Sequence, residues 1–150
     1  MQIYLFLANG FEEIEAIAPI DVFRRAELKV TTVSVTGDQL VEGAHGVTVA
    51  ADCLFEELGF EGDFVLFLPG GMPGTLNLDA HEGLKALIRQ QSERGQKIAA
   101  ICAAPSILGK MGILKGKEVI CYPGFESYLQ GAAVASEDVV KSGSLFTAKG

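Results

Sequence analysis

Histidine is scarce in this 150-residue chain, which has only His45 and His81. That shortage narrows the catalysis open to it, because imidazole is the commonest general base near neutral pH. Cysteines number three (Cys53, Cys102 and Cys121), an odd count without the close spacing of a metal site. Basic residues are outnumbered, 12 Lys and Arg against 19 Asp and Glu, for a formal net charge of −7. With a pI of about 4.8, this argues against nucleic acid or an anionic membrane as partner. No apolar run approaches the roughly 20 residues that a membrane span needs. Met1 leads straight into an apolar stretch with no charged leader, so a cytoplasmic location with reduced thiols is expected. Repeats, linkers and low-complexity tracts are also missing. A single domain over residues 1–150 follows, and 49% hydrophobic residues suffice for a core.

What is present centres on Arg94–Ser106. A polar turn with Gly95 leads into Ile98–Ile101, an apolar run that reads as a short buried strand of a parallel sheet. Cys102 follows at once, then two alanines, Pro105 and a helical run to Met111 closed by Gly112. The cysteine thus stands where a strand ends and a helix begins. Ligands bind at the carboxyl ends of strands in open α/β sheets, and a helix N-terminus favours thiolate over thiol. Free cysteine is equally at home as a small core residue, so position alone leaves both readings open.

Further buried strands are expected at Ile3–Ala8, Val30–Val35, Phe64–Leu68 and Lys117–Cys121. Together with Ile98–Ile101 they predict one mostly parallel central sheet. Helices are expected over Phe11–Leu28, with Pro19 kinking or locally breaking it, and over Asp79–Arg94. Hairpins are expected at Leu40–Glu42 with Val47–Ala50, and at Asp138–Lys141 with Ser144–Thr147. Leu54–Leu58 has room for one helical turn. His45 reads as an exposed loop residue and His81 as a solvated one. At ~100° per residue, Glu15 shares a stripe with Ala18, Val22 and Ala26 while Glu12 and Glu13 point elsewhere, so Glu15 is the best candidate acid. Pro69–Gly74 follows the third core strand. No Gly-Lys-Ser/Thr follows, so it is not a phosphate loop, but its amides can form an anion nest or oxyanion hole opposite Cys102. Tyr122 follows the Lys117–Cys121 strand and also looks toward the site. Cys53 and Cys121 read as structural.

Asn9-Gly10-Phe11-Glu12-Glu13-Ile14-Glu15, Leu68-Pro69-Gly70-Gly71 and Ala99-Ala100-Ile101-Cys102-Ala103-Ala104-Pro105 together resemble the DJ-1/PfpI superfamily, in its DJ-1/YajL/ThiJ branch. The resemblance covers nearly the whole chain. It implies a flavodoxin-like, doubly wound α/β fold with Cys102 at a strained nucleophile elbow. It implies that Glu15 contacts the Cys102 sulfur and that Gly70, Gly71 and the Ala103 N–H line an anion pocket. It implies a homodimer to which the first helix contributes; Ile14, Ile17, Ile20 and Phe23 make that helix apolar beyond one stripe. Activities implied are a cofactor-free glyoxalase or deglycase acting on methylglyoxal-type aldehydes or their glycated adducts, or else a non-enzymatic oxidative-stress sensor or chaperone. A cysteine hydrolase or amidase is a weaker implication, as are names inherited from thiazole monophosphate biosynthesis or proteases. No metal or cofactor is expected. Three departures stand out. The protease-like branch has histidine after the cysteine and this chain has Ala103, which argues against a peptidase. Tyr122 stands where some relatives have a histidine. Relatives continue past Thr147-Ala148-Lys149-Gly150 with a final helix, expected to be absent here.

Overall fold

The computed structural model describes residues 1–150. In chain order it runs β1 (Gln2–Leu7), α1 (Glu13–Arg25), β2 (Lys29–Ser34), β3 (Leu40–Glu42), β4 (Thr48–Ala50), β5 (Cys53–Leu54) and β6 (Phe64–Leu68). There follow α2 (Gly74–Ala80), α3 (Glu82–Glu93), β7 (Ile98–Ile101), α4 (Pro105–Lys110), β8 (Glu118–Val119), β9 (Ala133–Val134), β10 (Val139–Ser142) and β11 (Leu145–Ala148). Seven strands form one sheet in the order β10-β11-β7-β6-β1-β2-β5. Every pairing in it is parallel except β10 with β11. The expected α/β class with a mostly parallel sheet between helices is what the chain adopts. No helix is long and apolar enough to cross a membrane.

The pleat sends alternate side chains to opposite faces, so each strand feeds two cores. Phe6 of β1 and Ala8 just past it join Leu66, Leu68, Ile98 and Ala100 beneath α2, α3 and α4, within a cluster of 20 buried residues. Ile3, Leu5 and Leu7 point the other way, toward Phe11, Ala16 and Phe67, in a cluster of only 8. On that second face α1 is the one helix, joined by Val41 and Val49 of the β3–β4 hairpin. Beside α1 runs an open apolar groove of about 660 Å³, bordered by Val22, Phe23, Val65, Ala99 and Phe146.

Several expectations need correction. Lys117–Cys121 does not enter the central sheet. Only Glu118–Val119 is extended, and it pairs with β9 in a separate ladder. The place beside β7 is taken by β11, which runs parallel to it from Leu145 to Ala148. The terminal hairpin is therefore part of the main sheet, and the Ile120 amide merely bonds the Thr147 hydroxyl across 3.0 Å. Asp79–Arg94 is not one helix, because the chain breaks at His81. That ring is mostly covered and its Nδ1 accepts from the Leu84 amide at 3.0 Å, capping α3. Helix α1 starts two residues later than expected and runs unbroken through Pro19. Its buried face is Glu13 and Ala16, continued by Ile20 and Phe23. Ala18, Val22 and Ala26 are exposed. The stripe that was to shield Glu15 thus faces outward, and Glu13 carries the core side.

Candidate functional site

Cys102 is the first residue past β7 and has a φ of 63°, in the left-handed region. A side chain costs about 1–2 kcal/mol there, so the position persists only because its surroundings fix it. Two strand-like bonds do so. The Cys102 amide donates to the Ala148 carbonyl at 2.9 Å, and its carbonyl accepts from the Tyr122 amide at 2.8 Å. The sequence order strand–Cys102–Pro105 becomes a sharp turn that lifts the thiol above the sheet edge. Helix α4, which follows, is only six residues long, so its macrodipole contributes little. The Gly71 and Ala103 amides, which donate to the sulfur, give the local positive potential.

Glu15 reaches the same point from the first turn of α1. Its Oε2 accepts from the Gly70 amide at 2.9 Å, and it hydrogen-bonds the Cys102 side chain. The Gly70 carbonyl in turn accepts from the Glu12 amide at 2.9 Å. Glycine is required at this corner: a Cβ on Gly70 would fall 2.5 Å from Glu15 Oε2 and 2.6 Å from Cys102 Cβ. The Gly70 amide is therefore given to Glu15, and the amides left facing the sulfur are those of Gly71 and Ala103. Gly150 closes the far side, where a Cβ would lie 3.1 Å from Glu15 Oε1 and 3.3 Å from Cys102 Sγ.

Burial pushes the Glu15 carboxyl above its ordinary value, and the Glu12 charge adds to that; the bonds from Cys102 and Gly70 oppose it. Burial also pushes the Cys102 thiol up to about 11, followed by the hydrogen bond and charge of Glu15, against the Gly71 and Ala103 amides. The start of α4 does not outweigh that burial. The two groups behave as one unit holding one proton, because two adjacent negative charges in a half-buried corner repel. With Glu15 ionised the thiol keeps its proton; with the proton on Glu15, the carboxyl donates to sulfur and supports the thiolate.

The corner opens into a cavity of about 460 Å³, lined by Glu12, Glu15, Cys102, Ala103, Tyr122 and Phe125 among others. Tyr122 is half exposed and contributes both its ring to the wall and its amide to the elbow. Cys53 and Cys121 stand apart. Burial raises the pKa of both thiols, consistent with structural roles.

Two residues escaped sequence reasoning. Glu12 caps α1, its Oε2 accepting from the Glu15 amide at 2.9 Å, and it also lines the cavity. Glu13 is buried beneath the β3–β4 turn, where its carboxylate accepts from the His45 amide at 2.6 Å and the His45 Nδ1 at 2.8 Å. Burial works against that charge, but the bonds from His45 and Val47 hold the carboxyl down at about 2. The i, i+3, i+7 spacing of Glu13, Ala16 and Ile20 was the available signal. Glu12, Glu13 and His45 could together approach a cation, their ligand atoms lying within 4.8 Å of one another. Glu13 is already satisfied by His45, so the group is an ion-pair network that fixes the hairpin to the start of α1.

Comparison with known proteins agrees with this geometry. The DJ-1/PfpI family model matches residues 1–150. The chain is 36% identical over 148 residues to protein dj-1beta of Drosophila melanogaster, covering 97% of this chain and 79% of that one. It is 36% identical over 146 residues to the DJ-1 homolog B of Arabidopsis thaliana, covering 96% of this chain but only 33% of that protein. A deglycase of Pyrococcus abyssi is 30% identical over 135 residues, 89% of this chain and 80% of that one. Among solved structures, an oxidized form of Toxoplasma gondii DJ-1 superposes with a TM-score of 0.94 at 33% identity, over 99% of this chain and 82% of that one. By sequence and by fold, this chain belongs to the DJ-1/PfpI family.

Proposed function

We propose that the protein is a cofactor-free, Cys102-dependent glyoxalase or deglycase acting on small reactive α-oxo aldehydes such as methylglyoxal, or on their adducts. The carrying observation is the convergence of the Cys102 thiol, the Glu15 carboxyl and the Gly71 and Ala103 amides on one cavity. Sulfur adds to the aldehyde carbon while Glu15 takes the thiol proton, and the hemithioacetal oxygen takes a proton in turn. Gly71 and Ala103 stabilise the oxyanion that forms during attack. Glu15, ionised again, removes the proton from the former aldehyde carbon, giving an enediolate whose charge sits on the ketone oxygen. Glu15 returns that proton to the neighbouring carbon while the hydroxyl proton of the former aldehyde passes to the ketone oxygen, which leaves a lactoyl thioester on Cys102. One water hydrolyses it to lactate and the free thiol. Tyr122 can donate a hydrogen bond to the bound carbonyl but is a poor base near neutral pH. The test is lactate formation from methylglyoxal by wild type and Cys102→Ala. Formation at background rate by wild type ends the enzyme reading.

A second reading is that Cys102 is an oxidation sensor, passing through sulfenate to sulfinate, with the protein acting on stress-response or chaperone partners. A DJ-1 relative solved in oxidized form favours it, as does the presence of two amides able to hold sulfinate oxygens. Mild peroxide followed by mass spectrometry tests it; oxidation no more selective at Cys102 than at Cys53 removes it. A cytoplasmic homodimer is part of the proposal. Ile14 is 74% exposed and Ile17 41% exposed on one side of α1, an apolar surface suited to a second copy. Light scattering at tens of micromolar should give the dimer mass, and a monomer contradicts it.

A further inference from the structure

The mouth of the Cys102 cavity has one sign of charge. Of its ten lining residues, Glu12 and Glu15 carry carboxyls, and none is Lys, Arg or His. The rest of the rim is apolar, with Ile14, Met72 and Tyr122 all substantially exposed. Glu15 is the inner group and shares its proton with Cys102, so its charge belongs to the chemistry. Glu12 is the outer one. The cation nearest to it is His45, whose Nδ1 lies 4.0 Å from Glu12 Oε1 but 2.8 Å from Glu13 Oε2. Even with His45 protonated, Glu13 takes most of its charge, and the α1 N-terminus, whose Glu15 amide donates to Glu12, offsets Glu12 only in part, which leaves a net negative charge beside the path to sulfur.

We infer that Glu12 is a charge filter that sets the substrate class of this site, admitting uncharged or cationic carbonyl compounds and rejecting aldehydes that carry a carboxylate or phosphate. The amides of Gly71 and Ala103 do not contradict this. They face the sulfur, where they stabilise charge created by attack, whereas Glu12 acts on charge that a molecule brings with it. The low-dielectric wall formed by Ile14, Met72 and Tyr122 focuses the field of Glu12 rather than dispersing it. The inference rests on the reading of Cys102 as the nucleophile.

The test uses three methanethiosulfonate reagents, neutral, anionic (sulfonatoethyl) and cationic (trimethylammonioethyl). Rates are read at Cys102 by peptide mass spectrometry and divided by those of 2-mercaptoethanol. In wild type at low ionic strength the anionic reagent is expected to lag the neutral one by about two- to threefold, the size of one charge on the order of 7 Å away in water. The cationic reagent is expected to lead. Glu12→Gln should close the gap, and so should 0.5 M salt on wild type, by screening. Taking ratios at one pH cancels any change in thiol pKa, and a purely capping role for Glu12 would move all three rates together. A wild-type ratio equal to that of mercaptoethanol overturns the inference, as does a ratio that Glu12→Gln leaves unchanged. Should the Gln variant fail to fold, the salt series decides. Turnover of methylglyoxal is measured alongside. Absence of any turnover removes the enzyme reading while leaving the reagent ratios to judge the filter.

Discussion

The two faces of the sheet are built from the same strands and finished differently. Under α2, α3 and α4, leucines and isoleucines from every layer interlock in a cluster of 20 buried residues. On the α1 face the cluster has 8, and the groove beside α1 leaves Val65, Phe146 and Val22 partly open. The well-packed face fixes the strand ends, and the thinner face contributes the helix that carries Glu12, Glu13 and Glu15. Rigidity at Cys102 is thus supplied from one side, and its carboxyl partner from the other.

The sharpest way to break the comparison is to truncate one β-branched side chain to alanine on each face. Ile88 on α3 is fully buried, and Ile88→Ala should cost about 3–4 kcal/mol through lost burial and the cavity left behind. Val65, bordering the groove, is only partly buried, and Val65→Ala should cost under about 1 kcal/mol. Urea midpoints at unchanged m-value would read both. Equal losses would mean that the α1 face is as tightly packed as the other.

Next in size is the Glu13 contact, which anchors the thinner face. Glu13→Ala strands the buried-side His45 amide and should cost about 1–3 kcal/mol. The carboxyl is held at about 2 against an ordinary 4.5, so its contribution is present above about pH 4.5. It is lost as pH falls toward 2. His45 runs the other way. Its pKa is raised by the Glu13 bond and charge, so its contribution is complete below 6.5 and fades as pH rises through the raised value. Wild type should therefore lose stability between pH 4.5 and 2 more steeply than Glu13→Ala. Parallel curves would contradict the assignment.

The same contrast explains what could be read from the chain beforehand. The strand Ile98–Ile101 followed by Cys102 was legible because both signals are local, an unbroken apolar run and an abrupt change after it. The place of Lys117–Cys121 was not. It depends on which of two β-capable segments reaches the edge of β7 first in space, and Leu145–Ala148 wins with a four-residue register. His81 was misread because its partner, the Leu84 amide, exists only once α3 forms. Glu13 was misread because a carboxylate on a core stripe looks like a mistake until a distant hairpin brings His45 to it. The Glu15–Cys102 pairing came from family resemblance. The structure gives the physical reason for it: the turn at Gly70, not the stripe of α1, encloses the acid.

A smaller effect is expected at that pair, and it shows in reactivity. The fraction of the pair whose proton sits on Glu15 supplies thiolate, so alkylation of wild-type Cys102 should proceed at neutral pH faster than a thiol raised to about 11 would allow by itself. Glu15→Gln keeps a weaker donor and should slow alkylation modestly. In Glu15→Leu the thiol must ionise alone against burial, which should slow it about tenfold at pH 7, or one pKa unit. Iodoacetamide rates against pH would show it. Wild-type profiles in both variants would reduce Glu15 to an ordinary helix glutamate.

The smallest effect concerns the elbow backbone. At a φ of 63° any β-carbon carries strain, and glycine carries none. Cys102→Ala and Cys102→Gly both remove the sulfur and its bond to Glu15, so they differ chiefly in that β-carbon. The backbone bonds to Ala148 and Tyr122 are kept in both. Relief of strain favours Gly by about 1–2 kcal/mol, while the greater freedom of glycine in the unfolded chain takes back about 0.4–1 kcal/mol. Cys102→Gly should therefore be more stable than Cys102→Ala by about 0.5–1 kcal/mol, the reverse of the usual order of these residues in regular structure. Denaturant midpoints of the two variants measure it directly. If Ala proves the more stable, the elbow relaxes once its sulfur is gone, and the strain at Cys102 is imposed by the Glu15 contact rather than by the two strands that hold its backbone.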